Sequence, residues 1–269
     1  MKKILLLLFL IPSLCFAGLR GSELTVLGDN KNSCFIPKAG ILPQESHIVG
    51  FWQMEEASGN IQDQTGNHHS TIIGGTPDYQ QTGIVTYGIN FDGVDEYFNI
   101  ADDDQLSPLI TTGFSISQWI NIDSDKDQSL VSKYENPYEW CLWVWSDSSL
   151  TFRIYGANGN YIGRNTAAGE ATAAGGWYNI VATYSGGVNC ASMKIYINGV
   201  QKDTSDGTNG DINSPLNSTS PMMIGKQEAR YSDGIIDETI IWQGKELTVD
   251  EISWLYSRGS PYRKGYQIK

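Results

Sequence analysis

Positive charge is scarce in this chain: Lys and Arg number 18 against 30 Asp and Glu, a formal net charge of −12. That balance excludes a nucleic-acid binder, which needs a basic face to neutralise phosphates, and it works against docking on anionic membranes. Cysteine is rare, 4 in 269 residues, and no C-x-x-C pair occurs, which excludes a zinc ribbon. Histidine is rarer still, 3 in all, with no H-E-x-x-H; G-x-S-x-G is also missing. Charged residues make up only 18%, too few for a charged helical bundle. After the N-terminus there is no second long apolar run, so no further membrane span is expected. No repeat of fixed period is visible, which excludes a propeller or solenoid.

What is present begins with an export pattern. Lys2 and Lys3 precede an apolar stretch at 4–11, followed by Pro12 and Ser13, with the small residues Cys15 and Ala17 at −3 and −1. The pattern predicts a signal peptide cut after Ala17. The stretch is shorter than the roughly 20 residues of a span. Leu14 ahead of Cys15 argues against lipidation, which wants a small residue there. Cleavage removes two lysines and leaves the product still more acidic and soluble outside the cytoplasm. It also leaves Cys34, Cys141 and Cys190. An odd number allows one intramolecular disulfide and one free thiol, and all three pairings stay open.

Residues 18–46 carry Gly28, Pro37, Gly40 and Pro43 without periodicity and read as an arm or linker. From Ile48 the texture changes to short β-prone runs. Strands are predicted at 49–54, 71–73, 89–91, 96–100, 114–122, 129–134, 140–145, 150–155, 177–184, 193–197, 222–224 and 235–242. Between them stand Asp92-Gly93, Asn158-Gly159, Asn198-Gly199, Asp206-Gly207, Asn209-Gly210 and Asp233-Gly234, pairs suited to tight turns because Gly accepts positive φ. With 29 glycines, the chain reads as an all-β sandwich or barrel. One helix is predicted near the end. Thr248 and Glu251 form a capping box, Ile252, Leu255 and Tyr256 share a face, and Gly259 and Pro261 stop it. Residues 259–269 are then a tail.

Eight phrases follow one another in a familiar order: GFWQMEE at 50–56, DQTG at 63–66, GINFDGVDEY at 88–97, FSISQWI at 114–120, GWYNIVATY at 176–184, KIYING at 194–199, GIIDETIIW at 234–242 and LTVDEI at 247–252. Together they resemble the laminin-G-like, concanavalin-A-like lectin/glucanase jelly roll over about residues 48–257, so the domain is expected over 47–258. The resemblance implies two packed antiparallel sheets and, among its members, binding of glycans, other extracellular polymers or proteins. Some relatives cleave glycans, and many carry calcium. By resemblance, Asp237 in Gly-Ile-Ile-Asp-Glu is the best calcium ligand, with Glu55 and Asp63 as partners. The competing role of Asp237 is to accept backbone hydrogen bonds, and that of Asp63 is to cap a turn before Gly66.

Other acidic groups point to less. Glycan cleavage needs two carboxyls about 5 Å apart in a retaining enzyme; no E-x-D-x-E run is present, Pro137 lies between Glu135 and Glu139, and Asp237 and Glu238, being adjacent, would face opposite ways. The run 123–127 starts like an EF-hand loop, but Gln128 and Tyr134 occupy the positions of the obligatory Gly and Glu. It reads as a solvated loop, as does Asp102-Asp103-Asp104. His68-His69 sit in a loop with no partner motif.

The binding expectation rests on aromatics. In 140–145 the order Trp-Cys-Leu-Trp-Val-Trp alternates with period two, so Leu142 and Val144 inward put Trp143 and Trp145 on the other face. After a turn at 146–149, Leu150, Phe152 and Ile154 inward put Arg153 and Tyr155 beside them. The four would form a flat platform for sugar faces, unless the arm or a loop covers it. Tyr134 and Tyr138 could line its edge. Trp52, Trp119, Trp177 and Trp242 read as packing residues. The expectation is a secreted, non-catalytic glycan- or polymer-binding module. The alternatives are a protein-interaction or structural module of a surface assembly and, third, a glycoside hydrolase of the same fold.

Overall fold

Alternation of apolar and polar residues over short runs, punctuated by Gly, commits the chain to strands with one buried face. The computed structural model describes residues 42–72 and 74–258. The first strands are β1 (Ile48–Trp52), β2 (Thr71–Ile72), β3 (Asp78–Thr82), β4 (Tyr87–Asp92) and β5 (Phe98–Ile100). The central ones are β6 (Phe114–Ile122), β7 (Gln128–Lys133), β8 (Trp140–Val144), β9 (Leu150–Tyr155), β10 (Tyr161–Thr166) and β11 (Trp177–Tyr184). Then come β12 (Met193–Ile197), β13 (Val200–Gln201), β14 (Asp203–Asp206), β15 (Met222–Ile224), β16 (Lys226–Gln227), β17 (Arg230–Tyr231), β18 (Asp233–Gln243) and the helix α1 (Val249–Arg258).

Two antiparallel eight-stranded sheets result. The first runs β13-β12-β11-β6-β18-β4-β3, with β1 also paired to β18; the second runs β14-β10-β9-β8-β7-β15-β5-β2. β16 and β17 form a separate hairpin. Between the sheets lies the main core, including Phe91, Phe98, Phe114, Trp140, Phe152 and Ile154. A second cluster joins the first sheet to α1: Phe51, Val181, Ile240, Trp242, Ile252 and Leu255. This is the all-β jelly-roll sandwich with one short helix.

Several expectations are met residue for residue. The strands at 114–122, 150–155, 177–184, 193–197 and 222–224 have the expected bounds. Asn198 (φ 51) and Gly199 (φ 79) turn β12 into β13, the paired positive φ of a tight hairpin. The capping box is built: Thr248 N–H and hydroxyl donate to Glu251 Oε2 at 2.8 and 3.0 Å, and Glu251 N–H returns to Thr248 Oγ1 at 3.3 Å.

Other details differ. Asp233-Gly234 is no turn but the start of β18. β3, β10, β13, β14 and the β16–β17 hairpin were not expected, because their sequences are polar or carry Gly and lack a clear apolar alternation. Tyr256 is 41% exposed instead of buried with Ile252 and Leu255, and stacks on Trp119 with centroids 6.0 Å apart. Trp177 is half-buried. Leu42, in the segment read as an arm, is buried in the helix-side cluster, and Trp242 Nε1–H donates to the Pro43 carbonyl at 2.8 Å. Cys141 and Cys190 are both buried and free, with no bridge between them. Cys34, the export signal at 1–17, the arm up to residue 41 and the tail at 259–269 lie outside the described residues.

Candidate functional site

The aromatic face forms as the period-two argument requires. β8 and β9 pair with Cys141 opposite Arg153 and Trp143 opposite Thr151, and the turn closes by Ser148 N–H to Trp145 O and Trp145 N–H to Ser149 O, each 2.8 Å. Trp143 and Trp145 then meet with centroids 5.4 Å apart, and the Arg153 guanidinium lies 4.9 Å from the Trp143 centroid. Tyr155 reaches this group through Tyr134, which is 5.3 Å from Tyr155 and 6.4 Å from Trp143. Tyr134 and Tyr138 stack at 4.1 Å, so they line the edge of the face.

The platform is not flat. The two indoles stand at 79° to each other, because neighbouring rings on a twisted sheet favour edge-to-face contact. Trp143 is only 3% exposed, covered by its own neighbours on this face, while Trp145, Arg153 and Tyr155 are half-buried. Trp143 is therefore the floor of the site, and Trp145 is the ring a ligand can reach. Burial also pushes the Tyr155 phenol well above its ordinary pKa.

Strand β10 completes the site. It pairs with β9 so that Tyr161 stands opposite Tyr155 and Gly163 opposite Arg153. Gly163 is required there: a Cβ would come within 2.7 Å of Arg153 Cγ and 2.6 Å of the Phe152 carbonyl oxygen. The Arg153 side chain can thus lie across β10, with its guanidinium 4.5 Å from the Tyr161 centroid. From the far side the β16–β17 hairpin brings the Arg230 guanidinium 5.7 Å from the Trp145 ring. An open groove of about 500 Å³ results, lined by Trp145, Ser146, Asp147, Ser149, Arg153 and Asn165. Tyr161, Asn165, Asp147 and Arg230 were not among the expected site residues. The signal for Tyr161 and Asn165 was Asn158-Gly159, which announces a strand after β9.

The acidic loop at 123–127 serves this groove instead of being simply solvated. Asp125 Oδ1 accepts from Ser148 Oγ–H at 3.0 Å and Ala173 N–H at 2.9 Å, and Asp127 Oδ1 accepts from Ser146 N–H at 2.8 Å. These bonds brace the turn that forms one wall. The run 102–104 is likewise engaged: Asp102 pairs with the buried Lys133 at 2.6 Å, Asp103 with His68 at 3.4 Å, and Asp104 accepts from Asn217 at 2.8 Å. Glu139 is fully buried, 3.2 Å from Lys133 Nζ, and takes hydrogen bonds from Ser107 and Ser218. Its role is to hold loops.

A second site lies on the first sheet. β18 pairs with β4 through Ile236 and with β1 from Thr239, so Asp237 and Glu238 fall in the gap between those two strands. Glu238 has φ 49, and the register against β6 shifts between Asp237 and Ile240. This bulge breaks the alternation on which the opposite-face reading of the two residues relied. Asp237 is fully buried; its Oδ2 accepts from Ile84 N–H at 2.9 Å and Val85 N–H at 3.1 Å, while Oδ1 has no hydrogen-bond partner. Burial, then the charges of Glu238 and Glu55, push its carboxyl far above the usual range. Glu55 is pushed up to about 7, first by burial, against a hydrogen bond from Tyr87 N–H.

Asp63 is occupied differently. Oδ1 accepts from the N–H groups of Phe51 and Thr65, and Oδ2 from those of Asn67 and His68 and from the Thr65 hydroxyl. These bonds and His68 hold its carboxyl well below the usual range, overriding the effect of burial. Its lone pairs are used by the turn, as its competing role required. Tested against calcium, Asp237 and Glu55 fit: they gather hard oxygens, repel one another and leave one buried oxygen unpartnered. Among the described residues, no three His, Cys, Asp or Glu side chains are arranged to hold an ion, so backbone carbonyls and water would complete the shell.

A family model described as the concanavalin A-like lectin/glucanases superfamily matches residues 92–253. No curated protein matches. Among solved structures, the binding domain of Paraclostridial Mosquitocidal Protein 1 is similar with TM-score 0.61 and 17% identity, covering 78% of this chain and 52% of that one. The binding domain of Botulinum neurotoxin DC in complex with SialylT gives 0.59 and 17%, covering 80% and 52%. Domain 4 of AbnA, a GH43 extracellular arabinanase from Geobacillus stearothermophilus, in complex with arabinotriose, gives 0.58 and 18%, covering 78% and 98%. The chain thus spans about half the length of the toxin domains and nearly all of the arabinanase domain. At these identities the likeness is one of fold.

Proposed function

Since this chain belongs to the concanavalin A-like lectin/glucanase superfamily, we propose that it is an exported, non-catalytic module that binds a glycan in the groove on β8, β9 and β10. The observation that carries this reading is the half-buried Trp145 ring at a groove whose other walls are polar: Ser146, Asp147, Ser149, Arg153 and Asn165. Sugars present C–H faces that stack on a ring and hydroxyls that need donors and acceptors around it. Two similar structures, the neurotoxin domain with SialylT and the arabinanase domain with arabinotriose, are sugar complexes of the same fold, which supports the reading. Fold alone does not carry function; the groove does.

The groove's chemistry supports binding without cleavage. Its lining contains one carboxylate, Asp147, and hydrolysis uses two. Purified protein should release no reducing sugar from β-glucans. Calcium belongs to the proposal as a structural ion between β4, β1 and β18, held by Asp237 and Glu55. It would supply positive charge that cancels their repulsion. Asp63 would act beside it as a turn cap. The 1–17 pattern supports export; among the described residues no helix is long and apolar enough to cross a membrane.

A glycan array is the deciding experiment: binding should appear and fall on Trp145→Ala. The alternative, a protein-interaction or structural module, is favoured by the burial of Trp143, which leaves the face poorer in free ring surface. An array without any hit would transfer support to it.

A further inference from the structure

We propose that the groove selects glycans that carry a carboxylate, with Arg153 as the residue that reads the charge; this rests on the glycan-binding reading above. In a chain with 30 acidic and 18 basic residues, a cation has many carboxylates to choose from. Arg164 takes two, Asp203 and Asp206, with 2.6 Å to the first. Lys126, Lys133, Lys194 and Lys202 each sit within 3.2 Å of at least one. Arg153 is different: no carboxylate among the described residues forms an ion pair with it. Its guanidinium is held between the rings of Trp143 and Tyr161, at 4.9 and 4.5 Å, and it lines the groove. Cation–π contact fixes the plane of the group but supplies no acceptor for its Nε–H.

The donors around it are in surplus. Arg153 Nε and the Trp143 indole Nε1 are both buried without an acceptor. Both are donor-only groups, and an acceptor-only ligand group complements them. A second guanidinium, Arg230, stands 5.7 Å from the Trp145 ring, with only a long 3.5 Å contact to Glu228. On the other wall Asp147 Oδ1 is taken up by the N–H and hydroxyl of Ser149, at 3.0 and 2.6 Å, leaving Oδ2 to accept from sugar hydroxyls. The face therefore offers two guanidinium groups, the Trp145 ring and a carboxylate oxygen left to accept from hydroxyls. A sugar acid, with a carboxylate, an apolar ring face and hydroxyls, matches all three. Arg suits this task because its planar fork meets a carboxylate through two bonds.

The test uses one skeleton with and without charge. The full-length secreted protein is titrated by calorimetry with a galacturonic acid trimer and with its full methyl ester, and in parallel with sialyllactose and lactose. At least one acid should bind about tenfold more tightly than its neutral counterpart, equivalent to about 1.4 kcal/mol, and rising salt should weaken the acid alone. Arg153→Gln should abolish the preference, Arg153→Lys should keep part of it, and Trp145→Ala should weaken acid and neutral forms alike. Arg230→Gln, on the separate hairpin, gives a reduced preference even if the Arg153 variants fold poorly. Equal binding of acid and neutral forms would overturn the charge reading while leaving glycan binding intact. A preference for sulfated heparin over every carboxylate would also overturn it. No binding of any sugar would remove both readings.

Discussion

The indole N–H of Trp145 donates to the Thr151 hydroxyl at 2.8 Å, and that hydroxyl donates in turn to Asn165 Oδ1 at 2.7 Å. One chain of hydrogen bonds thus crosses β8, β9 and β10 and fixes the ring that lines the groove. Thr151 is fully buried, so Thr151→Val keeps the shape and leaves the indole N–H and the Asn165 oxygen without their partner. A loss of about 1–2 kcal/mol in unfolding free energy is expected, with weaker glycan binding. Trp145→Ala should lower affinity by about tenfold with a smaller effect on Tm. Paired binding and denaturation curves on the two variants check this.

Calcium should raise Tm with the logarithm of its free concentration once the site fills, and a chelator should reverse the rise. Asp237→Asn and Glu55→Gln should each abolish the calcium response. Without calcium, Asp237→Asn should equal or exceed the parent in stability, because a buried, repelled carboxyl is removed. Asp63→Asn should behave differently, lowering Tm with and without calcium while keeping the response. Differential scanning calorimetry separates these outcomes.

His68, 5% exposed, lies between Asp63 at 3.5 Å and Asp103 at 3.4 Å. The Asp63 carboxylate beside it, opposed by burial and aided by Asp103, raises its pKa above 6.5. A raised histidine contributes stability in full below its unfolded pKa and loses it as pH rises through the folded value. Asp63 is lowered, so its contribution holds above the unfolded carboxylate pKa and is lost as pH falls through the folded one. Tm measured against pH should therefore fall on the alkaline side of about 6.5, and His68→Gln should flatten that limb while also weakening the acid limb that Asp63 sets. An unchanged alkaline limb in His68→Gln would refute the assignment.

Lys133 is fully buried with Asp102 at 2.6 Å and Glu139 at 3.2 Å. Lys133→Met leaves Glu139 as an uncompensated buried charge and should cost about 3–5 kcal/mol. At the other end of the chain, Thr248→Ala should cost about 1 kcal/mol by removing the helix cap. Urea denaturation of both variants measures the contrast between a buried network and a surface cap.

How far the sequence reaches is seen at particular residues. Period-two alternation in Trp140–Val144 and Leu150–Tyr155 was enough to place Trp143, Trp145, Arg153 and Tyr155 on one face, because strand geometry is local. It could not show that Trp143 is covered or that the indoles cross at 79°, because side-chain packing depends on neighbours far along the chain. Tyr161 and Arg230 reach the site from β10 and the β16–β17 hairpin, whose polar sequences give no periodic signal.

The carboxylates teach the same lesson. The Asp-Gln-Thr-Gly turn and the Thr248 capping box were determined by sequence alone, since donors and acceptors a few residues apart satisfy one another wherever the fold puts them. Asp237, Glu238 and Glu55 are set by tertiary structure: a bulge in β18 opens where β4 ends and β1 begins, and burial there raises the pKa of Asp237 and Glu55. Local spacing fixed the strands with a clear apolar alternation, the Asn198-Gly199 turn and the aromatic face. Only the closing of the two sheets decided which rings and charges are buried, because burial and electrostatic coupling arise from residues that meet in space and not in sequence.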